Sequence, residues 1–385
     1  MRGRRRWTNF FEMTHAFTKL ESGAETPTRD DRALETRLTT WFREHGSVLI
    51  GFSGGVDSAY LACTAVAALG AERVLAVIGR SASYPSEQWE RARAVARQFG
   101  VPVLEVSTDE VNDPRYAANP SNRCYFCKTE LWDTLAPIAR ERGIAVVVDG
   151  TNADDLGDHR PGARAAAEHH VHSPLAELGF SKDAIRRLSR ARGIPTWSQP
   201  ASPCLSSRIP YGTAVTIDRL RQIERAERAL RQLGFHGDLR VRYHGDLARV
   251  EIAADLLGEW LRPEGRAAIC QALRDVGFER VTIDARGFRS GSLNVLGGVL
   301  AEPLVRSRSA SGGGDARGLE RALERRGFGF AVEARDRLAI LRANDTLLVD
   351  RLVDSAARHS VVEAARGQGF SHVGIDVGDA ALHRG

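Results

Sequence analysis

The stretch that decides the fold is Ser47-Val-Leu-Ile-Gly-Phe-Ser-Gly-Gly-Val-Asp-Ser-Ala59. Its first half is a short apolar run that predicts a buried strand, and its second half opens a predicted helix over 57–69. Between them, Gly54 and Gly55 let the backbone turn tightly and bring N–H groups close to an anion. The positive N-terminal end of the helix lies at the same place. The stretch therefore predicts a phosphate-binding loop, in which Asp57 can hold Mg²⁺.

Outward from this loop, strands alternate with helices, which predicts an α/β fold with a parallel sheet and right-handed crossovers. Ligands bind at the carboxyl ends of strands in such sheets, so the polar run Asp149–Asp155 after the fourth strand is expected to join the site. The predicted strands are 47–52, 73–79, 101–106 and 144–148, and the predicted helices are 33–44, 57–69 and 86–99.

After residue 212 the pattern changes to that of a small α+β domain, and this domain is repeated. Ala229–Phe235 returns as Ala322–Phe328, 93 residues later, and Ala272–Phe278 returns as Ala364–Phe370, 92 residues later. The copy lacks the paired Arg240 and Arg242, so we expect it to be dispensable for chemistry. The predicted organisation is a disordered tail at 1–30, an ATP-binding domain at 31–212, a substrate-binding α+β domain at 213–299, a flexible linker at 300–316 and a degenerate copy of the α+β domain at 317–385.

Composition narrows the class of protein. The 385 residues are enough for at least two domains, and 43% apolar with 27% charged residues is typical of a globular protein. No apolar run approaches the roughly 18 residues of a membrane span. The basic N-terminus is not followed by an apolar run, so we expect no secretory signal and a cytoplasmic location.

The net charge of +5 does not indicate a nucleic-acid surface. Only three of the 54 basic residues are lysines, and this excess of arginine reflects a GC-rich genome better than a binding patch. The arginines are spread among Asp and Glu at helical spacing, which is typical of a solvated face. We therefore expect a small-molecule substrate, no membrane partner and no nucleic acid, in a homo-oligomeric protein.

Five cysteines in a chain without an export signal favour metal binding or catalysis over disulfides. Cys124 and Cys127 lie in Arg123-Cys-Tyr-Phe-Cys-Lys128 at the start of a predicted helix, where the dipole and the flanking cations should lower the thiol pKa values. Cys204 lies in the polar loop Ser202–Gly212. Three such cysteines suit a [4Fe–4S] cluster with one open iron, while zinc and a redox pair remain open. Cys63 and Cys270 are predicted core residues.

Arg240 and Arg242 are two apart on a predicted strand and therefore share one face. Two guanidinium groups on one face suit a phosphate or carboxylates.

Together these motifs resemble one family. The loop Ser53–Ser58 resembles the pyrophosphate loop of the ATP-pyrophosphatase (PP-loop) superfamily, whose members cleave ATP to AMP and pyrophosphate. SGGVDSA, NRCYFCK, DGTNADD with RPG, SPCLSSRIPYG, RVRYHGDLARVE and GFRSGS resemble, in the same order, the motifs of LarE-type sacrificial sulfur transferases of nickel-pincer cofactor synthesis. The resemblance covers about residues 32–295.

The resemblance implies ATP-dependent adenylation of a carboxylate of pyridinium-3,5-biscarboxylic acid mononucleotide, followed by sulfur transfer. Single-cysteine members spend the cysteine that matches Cys204. Members with three matching cysteines hold a [4Fe–4S] cluster, and this chain has that pattern at Cys124, Cys127 and Cys204. A tRNA thiolase, another PP-loop adenylating enzyme and a single-turnover cysteine donor are the alternatives.

The candidate residues fall into three groups. The catalytic, cluster-binding group is Cys124, Cys127 and Cys204. The nucleotide group is Ser53, Gly54, Gly55, Asp57, Ser58, Gly79, Thr151 and Asp154, with Asp57 also on Mg²⁺. The substrate group is Lys128, Arg160, Ser207, Arg208, Arg240 and Arg242.

Overall fold

The structure, a computed structural model, describes residues 26–157, 161–200, 202–289, 291–296, 313–343 and 345–378. Arg160, the tail up to residue 25 and most of the predicted linker lie outside these residues. The strands are β1 (Val48–Gly51), β2 (Val74–Arg80), β3 (Val103–Ser107), β4 (Val146–Val148), β5 (Leu239–His244), β6 (Leu247–Ile252), β7 (Arg280–Asp284), β8 (Phe330–Arg335), β9 (Leu338–Ala343) and β10 (His372–Asp376).

The α-helices vary widely in length, and the longest is α5. They are α1 (Arg29–His45), α2 (Val56–Leu69), α3 (Ser86–Gln98), α4 (Pro114–Ala117), α5 (Arg123–Glu141), α6 (Pro161–Glu168), α7 (Pro174–Glu177), α8 (Lys182–Ala191), α9 (Ile217–Gln232), α10 (Leu257–Trp260), α11 (Pro263–Arg274), α12 (Ser292–Leu296), α13 (Ala316–Glu324), α14 (Thr346–Asp350) and α15 (Ser355–Gly367).

The chain divides into two compact units, and neither is continuous in sequence. Of the described residues, the first unit contains those within 26–79, 86–107 and 131–200, and the second contains those within 80–85, 108–130 and 202–378.

The first unit contains a four-stranded sheet in the order β3-β2-β1-β4. Strand β1 pairs in parallel with β2 and with β4, which confirms the predicted parallel sheet. All of β1 up to Ile50 is buried, as its apolar sequence predicts. At the end of the strand, a Cβ on Gly51 would lie 2.8 Å from the ring of Trp132, so only glycine fits there.

The second unit contains a six-stranded sheet in the order β5-β6-β7-β10-β9-β8. Each half of this sheet is one repeat, with an antiparallel hairpin of two six-residue strands and a third strand that pairs in parallel with the second. The two halves meet where β7 pairs with β10, and they share one apolar core that includes Ile283 and Ile375.

The other face of the six-stranded sheet carries charged side chains. In the first half, Arg242 of β5 forms a 2.6 Å ion pair with Glu251 of β6. In the second half, Glu333 of β8 and Arg342 of β9 are 3.6 Å apart. The copy therefore keeps a cross-strand ion pair but exchanges the acid and the base between its strands.

Candidate active site

The phosphate-binding loop connects β1 to α2, as predicted. Gly54 has φ +66, and a Cβ there would lie 2.4 Å from the Cβ of Ala92, so both conformation and space require glycine. Gly55 caps α2 without a side-chain hydrogen bond, which leaves the first N–H groups of the helix to a ligand. Ser53 and Ser58 approach each other at 3.1 Å through their hydroxyls. The arrangement suits a phosphate group.

Asp57, in the first turn of α2, is held by two side chains from other parts of the first unit. Lys182 Nζ lies 2.5 Å from Asp57 Oδ2, and Asn152 Nδ2 donates to Asp57 Oδ1 at 3.4 Å. Both side chains of the ion pair are partly exposed. A carboxylate and an ammonium group thus lie together beside the phosphate-binding loop.

The polar run after β4 lies close to the loop, as the parallel pairing of β1 and β4 requires. Thr151 donates through N and Oγ1 to the carboxylate of Asp149, and Asp154 accepts a 2.7 Å hydrogen bond from Lys182 N. A Cβ on Gly150 would lie 2.9 Å from the backbone N of Ser58. The predicted nucleotide residues in this run therefore border α2, while Gly79 lies in β2.

In the second unit, helix α5 begins at Arg123, so Cys124 and Cys127 open a helix as predicted. The buried Arg123 donates to Asn119 Oδ1 at 2.8 Å. Asn119 donates in turn to the carbonyls of Pro210 and Thr213, at 2.8 and 2.9 Å. This chain of hydrogen bonds ties the cysteine pair to the segment that follows Cys204.

Cys204 is the residue before a short 3₁₀ turn, Leu205–Arg208, which is fixed on two sides. The backbone N of Leu205 donates to Ser83 O at 2.8 Å. The hydroxyls of Ser206 and Tyr116 form a buried 2.6 Å hydrogen bond. These contacts hold the Cys204 loop in one position.

The three thiols interact electrostatically, and the result corrects the predicted lowering of the thiol pKa values. Burial raises the pKa of the Cys127 thiol well above its ordinary value, and Glu110 and Cys204 raise it further, against the smaller opposite effect of Lys128. The prediction was wrong for Cys127 because the helix dipole and the cations are outweighed by burial and a carboxylate. Burial lowers the pKa of Arg123, but Cys204 and Cys124 outweigh it, so the pKa is raised.

Glu110 is the carboxylate beside Cys127, and no motif in the sequence predicts this contact. It is 2% exposed, and Ser83 Oγ donates to its Oε1 at 2.7 Å. Its Oε2 is buried and has no hydrogen-bond partner in the part of the chain that the structure describes.

The donor set fits an iron–sulfur cluster in kind, since three cysteine thiols influence one another's charge. Among the described residues, no group of three or more His, Cys, Asp or Glu side chains is arranged to hold a metal ion. Cys63 and Cys270 are both 5% exposed, which confirms that they are core residues.

Arg240 and Arg242 lie on one face of β5, as predicted, but they have different surroundings. Arg242 donates to Glu251 through Nε and Nη2, at 2.9 and 2.6 Å, and through Nη1 to Ser207 O at 2.9 Å. Burial opposes ionisation of Glu251, but Arg242 and Arg249 lower its pKa to about 2. Arg242 is therefore already neutralised by the protein.

Arg240 is buried, and its Nη1 donates to Leu239 O at 2.7 Å. Burial lowers its pKa to about 10, and repulsion from Arg208 and Arg242 contributes, against attraction by Glu227. Arg208 itself is bound to Glu227 through Nε and Nη2, at 2.9 and 3.1 Å, and through Nη1 to Cys204 O at 3.1 Å. The Cys204 loop and the arginines thus form one connected group that can attract an anion.

The structure places the nucleotide residues in the first unit and the thiols, Lys128, Ser207 and the arginines in the second. Arg160 lies outside the described residues. The sequence analysis missed Lys182, Glu110, Glu227 and Glu251. Only Lys182 gave a usable signal, as one of three lysines in an arginine-rich chain.

Comparison with known proteins identifies a matching family and several similar proteins. The NAD synthase family matches residues 33–122, which include the phosphate-binding loop. An uncharacterized Synechocystis protein is 44% identical over 67% of this chain and 95% of its own length. Pyridinium-3,5-bisthiocarboxylic acid mononucleotide synthase of Lactiplantibacillus plantarum is 36% identical over 64% of this chain and 88% of its own. An uncharacterized Methanocaldococcus jannaschii protein is 31% identical over 63% of this chain and 91% of its own length.

Among the residues that the structure describes, no helix combines the length and the apolar character that crossing a membrane requires.

Proposed function

Because the chain belongs to the pyridinium-3,5-bisthiocarboxylic acid mononucleotide synthase (LarE) family, we propose that it uses ATP to replace a carboxylate oxygen of pyridinium-3,5-biscarboxylic acid mononucleotide by sulfur. The observation that carries the proposal is the phosphate-binding loop, in which Gly54 has no room for a Cβ and helix α2 begins without a side-chain cap. Asp57 and Lys182 beside the loop supply the charges that an ATP-cleaving site needs.

Mg²⁺ and ATP fit these residues. Asp57 would hold Mg²⁺, which neutralises charge on the phosphates as pyrophosphate departs. The N–H groups at the start of α2 and the hydroxyls of Ser53 and Ser58 would bind phosphate oxygens. Lys182 adds a positive charge at the same place, and Thr151 and Asp154 border it.

The chemistry follows from the poor reactivity of a carboxylate. A carboxylate oxygen of the substrate attacks the α-phosphorus of ATP, the bond to the bridging oxygen breaks, and pyrophosphate leaves. The carboxylate is now an acyl adenylate with AMP as its leaving group. A sulfur nucleophile then attacks the acyl carbon, the carbon–oxygen bond to AMP breaks, and the product is a thiocarboxylate.

We assign the substrate phosphate to the arginine group of the second unit. Arg240 supports this role because its guanidinium is buried close to those of Arg208 and Arg242, so three positive charges lie together. Arg242 and Arg208 are held by Glu251 and Glu227 and would form the rigid wall of the site. Ser207, Lys128 and Arg160 are further candidates for this binding site, from the resemblance.

For the sulfur source, Cys124, Cys127 and Cys204 would hold a [4Fe–4S] cluster, which supplies an iron that carries the sulfur to be transferred. Arg123 supports this assignment, because its charge is favoured by Cys204 and Cys124 and it can balance cysteine thiolates. If no cluster is present, Cys204 would instead be spent as the sulfur donor.

The experiment follows AMP and pyrophosphate with anaerobically purified protein, ATP, Mg²⁺, sulfide and the biscarboxylate mononucleotide. We expect both products only when the mononucleotide is present. Asp57→Asn should abolish AMP formation in a folded protein, whereas Asp133→Asn, at an exposed position of the same unit, should leave it unchanged. Full AMP formation by Asp57→Asn would overturn the assignment of the loop.

A further inference from the structure

The strands β7 and β10 meet as an approximate two-fold pair. They are antiparallel, and Ile283 lies opposite Ile375. These two isoleucines are equivalent in the repeat, since each follows its own Gly-Phe pair by five residues. The register thus places equivalent residues of the two halves opposite each other.

The hydrogen bonds of the pair obey the same symmetry. Ala285 N donates to Val373 O at 2.9 Å, and Val377 N donates to Val281 O at 3.1 Å. Ala285 and Val377 are equivalent in the repeat, and so are Val281 and Val373, so each bond is the image of the other. Pairing of one strand with its own equivalent is the geometry of a two-fold dimer. Backbone pairing needs no particular side chain, so the edge of β7 that receives β10 also fits a second β7.

One residue, Gly374, departs from this symmetry and favours the pairing of β7 with β10 of the same chain. Position 282 is Thr in the first half, and the equivalent position 374 is Gly. A Cβ on Gly374 would lie 3.0 Å from both Cβ and Oγ1 of Thr282, closer than side chains normally pack. Two β7 strands would bring two Thr282 side chains to this place and would have to shift apart. The glycine therefore makes β10 a closer partner for β7 than another β7.

We propose that residues 313–378 serve as a built-in partner that keeps the β7 edge from pairing with a second copy of this chain, with Gly374 as the residue that decides the preference. When the fit at Gly374 is lost, the internal pair loses this preference, and β7 of a second copy fits the edge as well as β10 does. In the intact chain, any oligomer forms through surfaces other than β7.

The test uses the full chain with Gly374→Thr, which gives the copy the residue of the first half. We expect faster amide hydrogen exchange over residues 281–287 and a concentration-dependent species of twice the wild-type mass in sedimentation velocity. The matched control is Gly329→Thr, since a Cβ on Gly329 meets no described atom within 4 Å. Exchange and mass unchanged in Gly374→Thr, or changed equally in the control, would overturn the proposal.

A second variant tests whether β7 can pair with another β7, and it keeps all the strands of the sheet. In a chimera, residues 317–378 are replaced by a second copy of residues 224–286, so that β7 must pair with itself. We expect a folded chain that doubles in mass more readily than wild type, and we expect glycine at the position of residue 374 to reverse this. A chimera that does not fold even with that glycine would show that β7 does not fit a second β7.

Discussion

Lys182 Nζ lies 2.5 Å from Asp57 Oδ2, so an ion pair joins the first turn of α8 to the first turn of α2. The contact unites a residue of the glycine loop with one of three lysines in the chain. It places an ammonium group beside the phosphate-binding loop.

Lys182→Met should reduce the rate of AMP formation about 100-fold, the scale seen when one group that stabilises a transition-state charge is removed. The free energy of unfolding should change by at most about 1 kcal/mol, because the pair is partly exposed. Quenched-flow measurement of AMP and urea denaturation check the two statements. Lys182→Arg, which keeps the charge, should recover part of the rate. Wild-type rates in Lys182→Met would remove the residue from the site.

Single Cys→Ala changes at Cys124, Cys127 and Cys204 should each remove most of the iron from protein purified without oxygen. Cys63→Ala is the matched control, since Cys63 is a buried core residue that should not affect iron content. Iron analysis and the visible absorption spectrum are the measurements. Iron-free wild-type protein whose Cys204 loses the mass of one H₂S during turnover would instead identify Cys204 as a consumed donor.

In metal-free protein, iodoacetamide should label the exposed Cys124 well before Cys127 near neutral pH, because a raised pKa keeps the Cys127 thiol protonated. Glu110→Gln removes a carboxylate that raises this pKa, so labelling of Cys127 should begin at lower pH. Peptide mass spectrometry across a pH series measures both. The control is Glu141→Gln, at an exposed position of α5, the helix that holds Cys127. An identical shift in the labelling of Cys127 in this control would contradict the role of Glu110.

Glu251→Gln should lower the free energy of unfolding by about 3–5 kcal/mol at neutral pH, because it leaves Arg242 buried without its carboxylate and Arg249 with Asp284 alone. The folded pKa of Glu251, about 2, is below its ordinary value of 4.5. Its contribution is therefore complete above about pH 4.5 and is lost as the pH falls toward 2. Denaturation curves at several pH values should show this loss in wild type and a smaller one in the variant. Glu363→Gln, a surface pair with Arg366, should behave as wild type.

The sequence was most informative where structure is local. The phosphate-binding loop follows from an apolar strand, two glycines and a helix, all within Ser47–Leu69, and the parallel sheet follows from strands that alternate with helices up to residue 148. The start of α5 at the cysteine pair is equally local. What could not be predicted depends on residues far apart in the chain. Cys127 becomes buried and Glu110 comes close to it only after folding, and burial, together with this negative charge, raises the thiol pKa that the sequence predicted to be lowered.

The repeat, too, could be predicted from the sequence only in part. Its Gly-Phe pairs reveal the duplication, but the pairing of β7 with β10 is set by backbone geometry that no short motif encodes. The partners of Arg242 and Arg208 were also beyond prediction, because Glu251 and Glu227 lie on other elements and have no distinctive neighbours in sequence.

The exchanged ion pairs of the six-stranded sheet have a consequence for stoichiometry. Duplication of a domain ordinarily doubles the number of ligand sites per chain. Here Glu333 takes a strand position equivalent to that of Arg242, and Ala331 one equivalent to that of Arg240, so the second half lacks the paired arginines of the first. Glu333 is itself paired with Arg280, Arg335 and Arg342. The proposed anion site was therefore not duplicated with the domain, and we expect a saturating mononucleotide to bind one molecule per chain.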